Sequence, residues 1–170
     1  TRRADHAARA GDGAGEIAAL LEAARIWDER LSSPDSALEI LERIIERDPR
    51  NVGALSSLAR IYERGGQWDK CVATLERAVA LAPSGAAAAE LNFRLGRVQA
   101  AELGDAARAL AFYEQALGFD PDHTEAQAAV MAAARERGDF ARVAQLLERQ
   151  AQAQVDPAAQ LQTLLELARI

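Results

Sequence analysis

The chain is short of several residue types at once, and each shortage excludes something. A single cysteine, Cys71, means that no disulfide can close within the chain and that no redox compartment is implied. Aromatic residues are 5% of the total while apolar residues are 49%, so the core has to be built from alanine and leucine. Lysine occurs once, at Lys70, and every other basic side chain is arginine. Beside so much alanine, that bias points to a GC-rich bacterial genome. The only histidines are His6 and His123. Neither has ligand spacing to the other or to Cys71, so no metal site and no cofactor are expected. No stretch alternates in the manner of a β-strand. No apolar run reaches the roughly 18 residues that a membrane span needs. The net charge is −6 and the pI near 5.0, the wrong sign for a general nucleic-acid binder. Neither nucleic acid nor membrane insertion is therefore expected. No signal peptide is visible and a cytoplasmic location is expected, although the chain starts at Thr1 and stops at Ile170 in a helical pattern. That reads as a piece of a longer array.

What the chain has in quantity is Ala, Leu, Glu, Arg and Gln, all good helix formers. The stretch 51–84, NVGALSSLARIYERGGQWDKCVATLERAVALAPS, organises the rest. With Val52 as position 1, Leu55, Leu58, Ala59 and Tyr62 fall at positions 4, 7, 8 and 11, on one helical face. Cys71, Leu75 and Ala78, at positions 20, 24 and 27, stripe a second helix. Gly65-Gly66 is expected to end the first helix and Pro83 the second. Small residues at 8, 20 and 27 let the two helices approach closely, and larger ones fill the space around them.

Imperfect copies flank this unit. In the first copy Leu20, Ala23, Ala24 and Trp27 take positions 4, 7, 8 and 11. Ser33 and Pro34 are expected to cap and start its second helix, which carries Ala37, Leu41 and Ile44 and closes at Asp48-Pro49. The third has Leu95-Gly96 at 7 and 8, a turn and cap at Gly104-Asp105, then Ala109, Tyr113 and Ala116, closing at Asp120-Pro121. The fourth opens on a capping-box-like Asp122 and Glu125. It carries Val130-Met131, a turn at Gly138-Asp139-Phe140, and Val143 and Leu147. Gln150 stands where a small apolar residue is expected, so this helix should diverge or end loosely. Asp156-Pro157 starts a fifth. Residues at position 7 (Ala23, Leu58, Leu95, Val130, Leu167) recur at intervals of 35, 37, 35 and 37. The extra residues are expected at Leu31–Ser33, Glu102–Gly104, Gly85 and Ala153.

This pattern resembles the tetratricopeptide repeat (TPR), a helix–turn–helix unit of roughly 34 residues with W-L-G-Y and A-F-A-P at these positions. Tyr62, Ala78 and Pro83 match outright, and Leu55, Leu58, Ala59, Cys71 and Leu75 are substitutions of the same class. The resemblance covers residues 15–170. It implies an all-α fold, a right-handed superhelical solenoid of helix–turn–helix repeats. The units run 15–50, 51–84, 85–121, 122–156 and a partial 157–170, after a lead-in at 1–14 in which Gly11-Asp12-Gly13-Ala14-Gly15 is a flexible break.

The resemblance further implies that first helices line a concave groove, which binds an extended segment or helix of a partner. Position 9 reads Arg25, Arg60, Arg97, Ala132 and Arg169. Position 12 begins Asp28 and Glu63, and position 5 reads Leu21, Ser56, Phe93, Ala128 and Leu165. Arg25, Asp28, Ser56, Arg60, Glu63, Phe93 and Arg97 are thus the candidate peptide-binding residues: an arginine ladder beside an apolar track, suited to a partner carrying carboxylates. Arg25–Asp28 and Arg60–Glu63 are also spaced i,i+3, so pairing within each helix competes with that role. Some members bind chaperone tails through a clamp of lysines and asparagines. Lys70 lies on a second helix, and Asn51 and Asn92 are off the clamp positions, so that function is not implied.

No catalytic constellation is legible. Cys71 sits at a packing position, Trp27 and Tyr62 at the core position 11, and Trp68 at a turn where it should pack against the next unit. The glycine-rich break lacks the Lys-Ser/Thr of a phosphate loop. The expectation is a scaffold or adaptor that binds protein or peptide and is not an enzyme. The alternatives are the regulatory arm of a larger enzyme or signalling protein, and a self-assembly module forming homo-oligomers.

Overall fold

A computed structural model describes residues 13–82 and 84–170. The expectations placed on residues 1–12 and on Pro83 lie outside the described residues. In chain order the helices are α1 (Gly13–Glu29), α2 (Pro34–Arg47), α3 (Val52–Arg64), α4 (Trp68–Leu81), α5 (Ala86–Ala101), α6 (Ala106–Phe119), α7 (Thr124–Glu136), α8 (Phe140–Ala153) and α9 (Pro157–Leu167). Among the described residues there is no strand. Each helix packs against the next along the chain, and α1 also meets α3. α1/α2, α3/α4, α5/α6 and α7/α8 form helix pairs along the chain, and α9 packs on α8.

Apolar residues on two faces of each first helix join the units into one core. On α3, Ala54, Leu58 and Ile61 pack with Leu20, Ala37, Leu41 and Ile44 of the unit before. Leu55 and Ala59, one residue on around the helix, pack with Cys71, Leu75 and Ala78 of α4 and with Leu91 and Leu95 of α5. A residue shift of one turns a helix by about 100°, which is how one short helix serves both neighbours. The same logic puts Val130, Met131 and Val143 in contact with Leu110 and Tyr113.

Every turn inside a unit carries one residue with left-handed geometry: Ser32 (φ 49°), Gly66 (66°), Gly104 (67°) and Gly138 (71°). Three of the four are glycine because the missing Cβ removes the steric penalty. Side chains cap several of the helices. Asn51 Oδ1 accepts from the Ala54 N–H at 3.0 Å, and Asp105 Oδ1 accepts from Arg108 at 2.9 Å. Asp139 Oδ1 and Asp156 Oδ1 accept from Arg142 at 3.0 Å and from Ala158 at 3.1 Å. These bonds satisfy first-turn donors that have no partner within the helix.

Several expectations are corrected. Gly13, Ala14 and Gly15 belong to α1 rather than to a break. Ser33 holds the N-cap position of α2, but its hydroxyl meets Ser36 Oγ at 3.1 Å instead of a backbone N–H. The cap of α7 is His123, whose Nδ1 accepts from the Ala126 N–H at 3.3 Å, and not Asp122. Helix α8 continues past Gln150 to Ala153, because Ala151 takes the buried place one residue later. Trp27 is 37% exposed and so is not a core residue, whereas Tyr62 packs between the first two clusters. Part of the extra unit length lies in the helices. α5 has 16 residues against 13 in α3.

Candidate functional site

The seven candidate residues all lie on first helices. Their spacing within each helix sets which way they point, and the stacking of units then decides what each one touches. Arg25 on α1 keeps to its own helix, but its partners are Glu22 and Glu29, at 2.7 and 2.8 Å, rather than Asp28. Hydrogen bonds to Glu22 and then Glu29 hold its pKa above the ordinary arginine value. Those from Arg25, then from Arg60, hold Glu29 below the ordinary carboxylate value against some desolvation. Asp28 is buried and pairs across the unit boundary, with Arg60 at 3.4 Å and with Arg64. Arg60 also donates to Glu29 Oε1 at 3.0 Å.

One unit further on the arrangement repeats. Glu63 takes Arg94 at 3.3 Å and Arg97, both on α5, rather than Arg60. Arg94 Nη1 also donates to Ser56 Oγ at 3.0 Å. Beyond the candidates, Arg135 on α7 pairs with Glu166 on α9. The expected i,i+3 pairs Arg25–Asp28 and Arg60–Glu63 are thus not formed: acids of the first two units hold arginines of the unit that follows, and Arg135 reverses the sense by reaching an acid of the next unit. The reason is reach: a guanidinium at position 9 extends toward the carboxylate-bearing last turn of the preceding first helix. Arg64, Arg94, Glu22, Glu29 and Glu166 were not among the candidates. For Glu29, Arg94 and Glu166 the signal is a recurring separation of 31 residues, in Glu29–Arg60, Glu63–Arg94 and Arg135–Glu166.

Asp28 and Glu63 lie deeper than Arg60 and Arg97, which they hold, whereas Arg94 is itself nearly buried beside Glu63. Side-chain exposure is 2% for Asp28 and 19% for Glu63, against 42% for Arg60 and 53% for Arg97. Arg60 and Arg97 therefore each rest on an acid and keep an open edge toward solvent. Leu21, Arg25, Ser56, Arg60 and Arg94 border one hollow of about 530 Å³ between α1 and α3. Phe93 is not gathered into it. Its ring packs at the junction of the third and fourth units, 5.6 Å from Tyr113 and 4.9 Å from His123 between centroids, against Ala89, Ala116 and Ala126.

Cys71 is fully buried and its Sγ–H donates to the Ala59 carbonyl at 3.5 Å. Burial pushes the thiol up from 9.0 to about 11, so it is neutral at physiological pH. Among the described residues no three or more His, Cys, Asp or Glu are grouped to hold a metal ion, and no helix is long and apolar enough to cross a membrane.

Two family models described as tetratricopeptide repeat match this chain, over residues 31–92 and 65–124. Together they span more than half of the 170 residues. The chain belongs to the tetratricopeptide-repeat family. Solved structures share the fold. YrrB, a TPR protein with an unusual peptide-binding site, superposes with a TM-score of 0.62 at 16% identity, over 76% of this chain and 64% of that one. The chain thus spans less than two thirds of YrrB. MamA gives a TM-score of 0.64 at 19% identity, over 98% and 97% of the two chains. An O-GlcNAc transferase mutant of Thermobaculum terrenum gives 0.58 at 26% identity, over 90% of this chain and 26% of the transferase. No curated protein matches the chain. Membership makes this solenoid a protein-interaction module in general terms.

Proposed function

We propose that the solenoid is a scaffold or adaptor whose concave face, along α1, α3 and α5, binds an extended peptide or helix of a partner that carries carboxylates. The observation behind this reading is the seating of the arginines. Arg25, Arg60 and Arg97 are each anchored by a carboxylate and half exposed on the other side. An arginine held in place loses less side-chain entropy on binding, and its planar fork suits a carboxylate. In this role Asp28 and Glu63 orient the arginines and do not touch the ligand. Leu21 and Ser56 supply an apolar contact and a hydroxyl in the same hollow.

Selection from a random peptide library on the intact chain tests the reading. Peptides rich in Asp or Glu with one or two apolar anchors are expected to emerge. Their affinity should fall at least about tenfold in Arg25/Arg60/Arg97→Ala, since each charge-assisted hydrogen bond is worth about 1.5–3 kcal/mol. Selected peptides without acid, or equal affinity for the triple variant, would remove the arginine row from the function.

A further inference from the structure

Histidine is an unusual helix cap, because only one of its two charge states can serve. Nδ1 of His123 accepts from the Ala126 N–H at 3.3 Å at the start of α7. That bond needs a lone pair on Nδ1, so the capping ring is neutral and carries its proton on Nε2. Asn51, Asp105, Asp139 and Asp156 cap α3, α6, α8 and α9 through side-chain oxygens, which accept throughout the neutral range.

The other neighbours of the ring suit the charged state. Nε2 lies 3.4 Å from Glu90 Oε2 on α5, and Nδ1 lies 3.4 Å from Glu125 Oε2 on α7. A backbone N–H and a carboxylate therefore compete for the same nitrogen. Glu125 is held below the ordinary carboxylate value by its own backbone N–H, then by the Thr124 hydroxyl at 2.9 Å, so it is charged whenever the ring titrates. The imidazole is only 9% exposed and packs on Phe93, so these partners feel its charge with little water between. Asp120 and Asp122 precede it in the connection. Asp120 Oδ1 accepts from the Asp122 N–H at 3.1 Å, and the Asp122 carboxylate faces Arg149 at 3.8 Å. From α6, Ala116 and Leu117 meet this junction and carry no charge. The positive end of α7 opposes a charge on the ring, whereas Glu90 and Glu125 favour it.

We infer that His123 is a pH-sensitive cap at the junction of the third and fourth units. A proton taken from solvent lands on Nδ1, which then donates to Glu125 instead of accepting from Ala126. The pair between Nε2 and Glu90 strengthens, and the first turn of α7 is released beside α5. The device is independent of the arginine row.

Nuclear magnetic resonance of the intact chain, at about pH 8 and about pH 5, brackets the range in which histidines ordinarily titrate. At the higher pH, Nδ1 of His123 should resonate as an unprotonated acceptor. At the lower pH it should be protonated. Protection of the Ala126 amide, corrected for the intrinsic exchange rate, should then fall roughly fivefold. Ala54, capped by Asn51, is the unchanging reference. In His123→Asn the Ala126 amide should keep its protection at both pH values. A ring with its neutral-state proton on Nδ1 overturns the proposal, as does one that stays neutral at the lower pH or one that titrates while Ala126 keeps its protection. Equal loss at Ala54, or in His123→Asn, also overturns it, by showing that acid loosens the chain through other groups.

Discussion

At the scale of single residues, Gly96 is the most crowded of the described glycines. A Cβ there would lie 2.6 Å from Tyr113 Cε1 and 3.0 Å from the Ala109 carbonyl oxygen. Close approach of α5 and α6 is what requires glycine. Gly96→Ala should cost about 1–3 kcal/mol in denaturant unfolding. Gly96→Ala combined with Tyr113→Leu should cost less than the two single changes added together, because the smaller side chain gives the new methyl room. Cys71 makes a pH prediction. Its folded pKa is raised, so at high pH the unfolded thiol loses its proton first and folding then binds the extra proton. The stabilisation is fully present below about 9.0 and is lost as the pH rises toward about 11. Cys71→Ala should flatten that part of a stability-against-pH curve. A curve of unchanged slope would show that other groups set it.

At the scale of elements, turns and caps decide where helices begin and end. Ser32 holds a left-handed conformation where the other units use glycine. A residue with a Cβ is strained there, so Ser32→Gly should stabilise the chain by up to about 1 kcal/mol, read as a rise in melting temperature. His123 caps α7 and also packs its ring on Phe93. His123→Asn keeps a capping acceptor and loses the ring, whereas His123→Ala loses both. The alanine variant should be the less stable, by roughly 1 kcal/mol. If the two variants melt alike, the ring contact and not the cap is what His123 contributes.

At the scale of the whole molecule, the solenoid is held by neighbour-to-neighbour contacts, and the ion pairs between first helices are one polar part of them. Glu63 serves two arginines of the next unit. Glu63→Gln should therefore loosen the junction of the second and third units by roughly 1 kcal/mol. Amide exchange should quicken in α3 and α5 and stay unchanged in α8, since each unit touches only its neighbours. Uniform quickening along the chain would mean that the array unfolds as one cooperative block.

The sequence by itself determined the unit, its repetition and its helices. Those follow from interactions a few residues long: the stripes of Leu55, Leu58 and Ala59, the break at Gly65-Gly66, and the cap at Asp105. It placed Arg25, Arg60 and Arg97 on first helices for the same reason. Their partners were decided only by the tertiary structure. Helical spacing offers Arg60 an acid three residues away at Glu63, yet stacking turns Glu63 toward Arg94 and Arg97 and sets Arg60 over Asp28 and Glu29. Phe93 likewise was expected on the groove by position, and its ring packs at the junction of the third and fourth units. Periodicity fixes the direction of a side chain on its own helix. What it meets there depends on the rotation between one unit and the next, which is set by the summed packing of side chains from both.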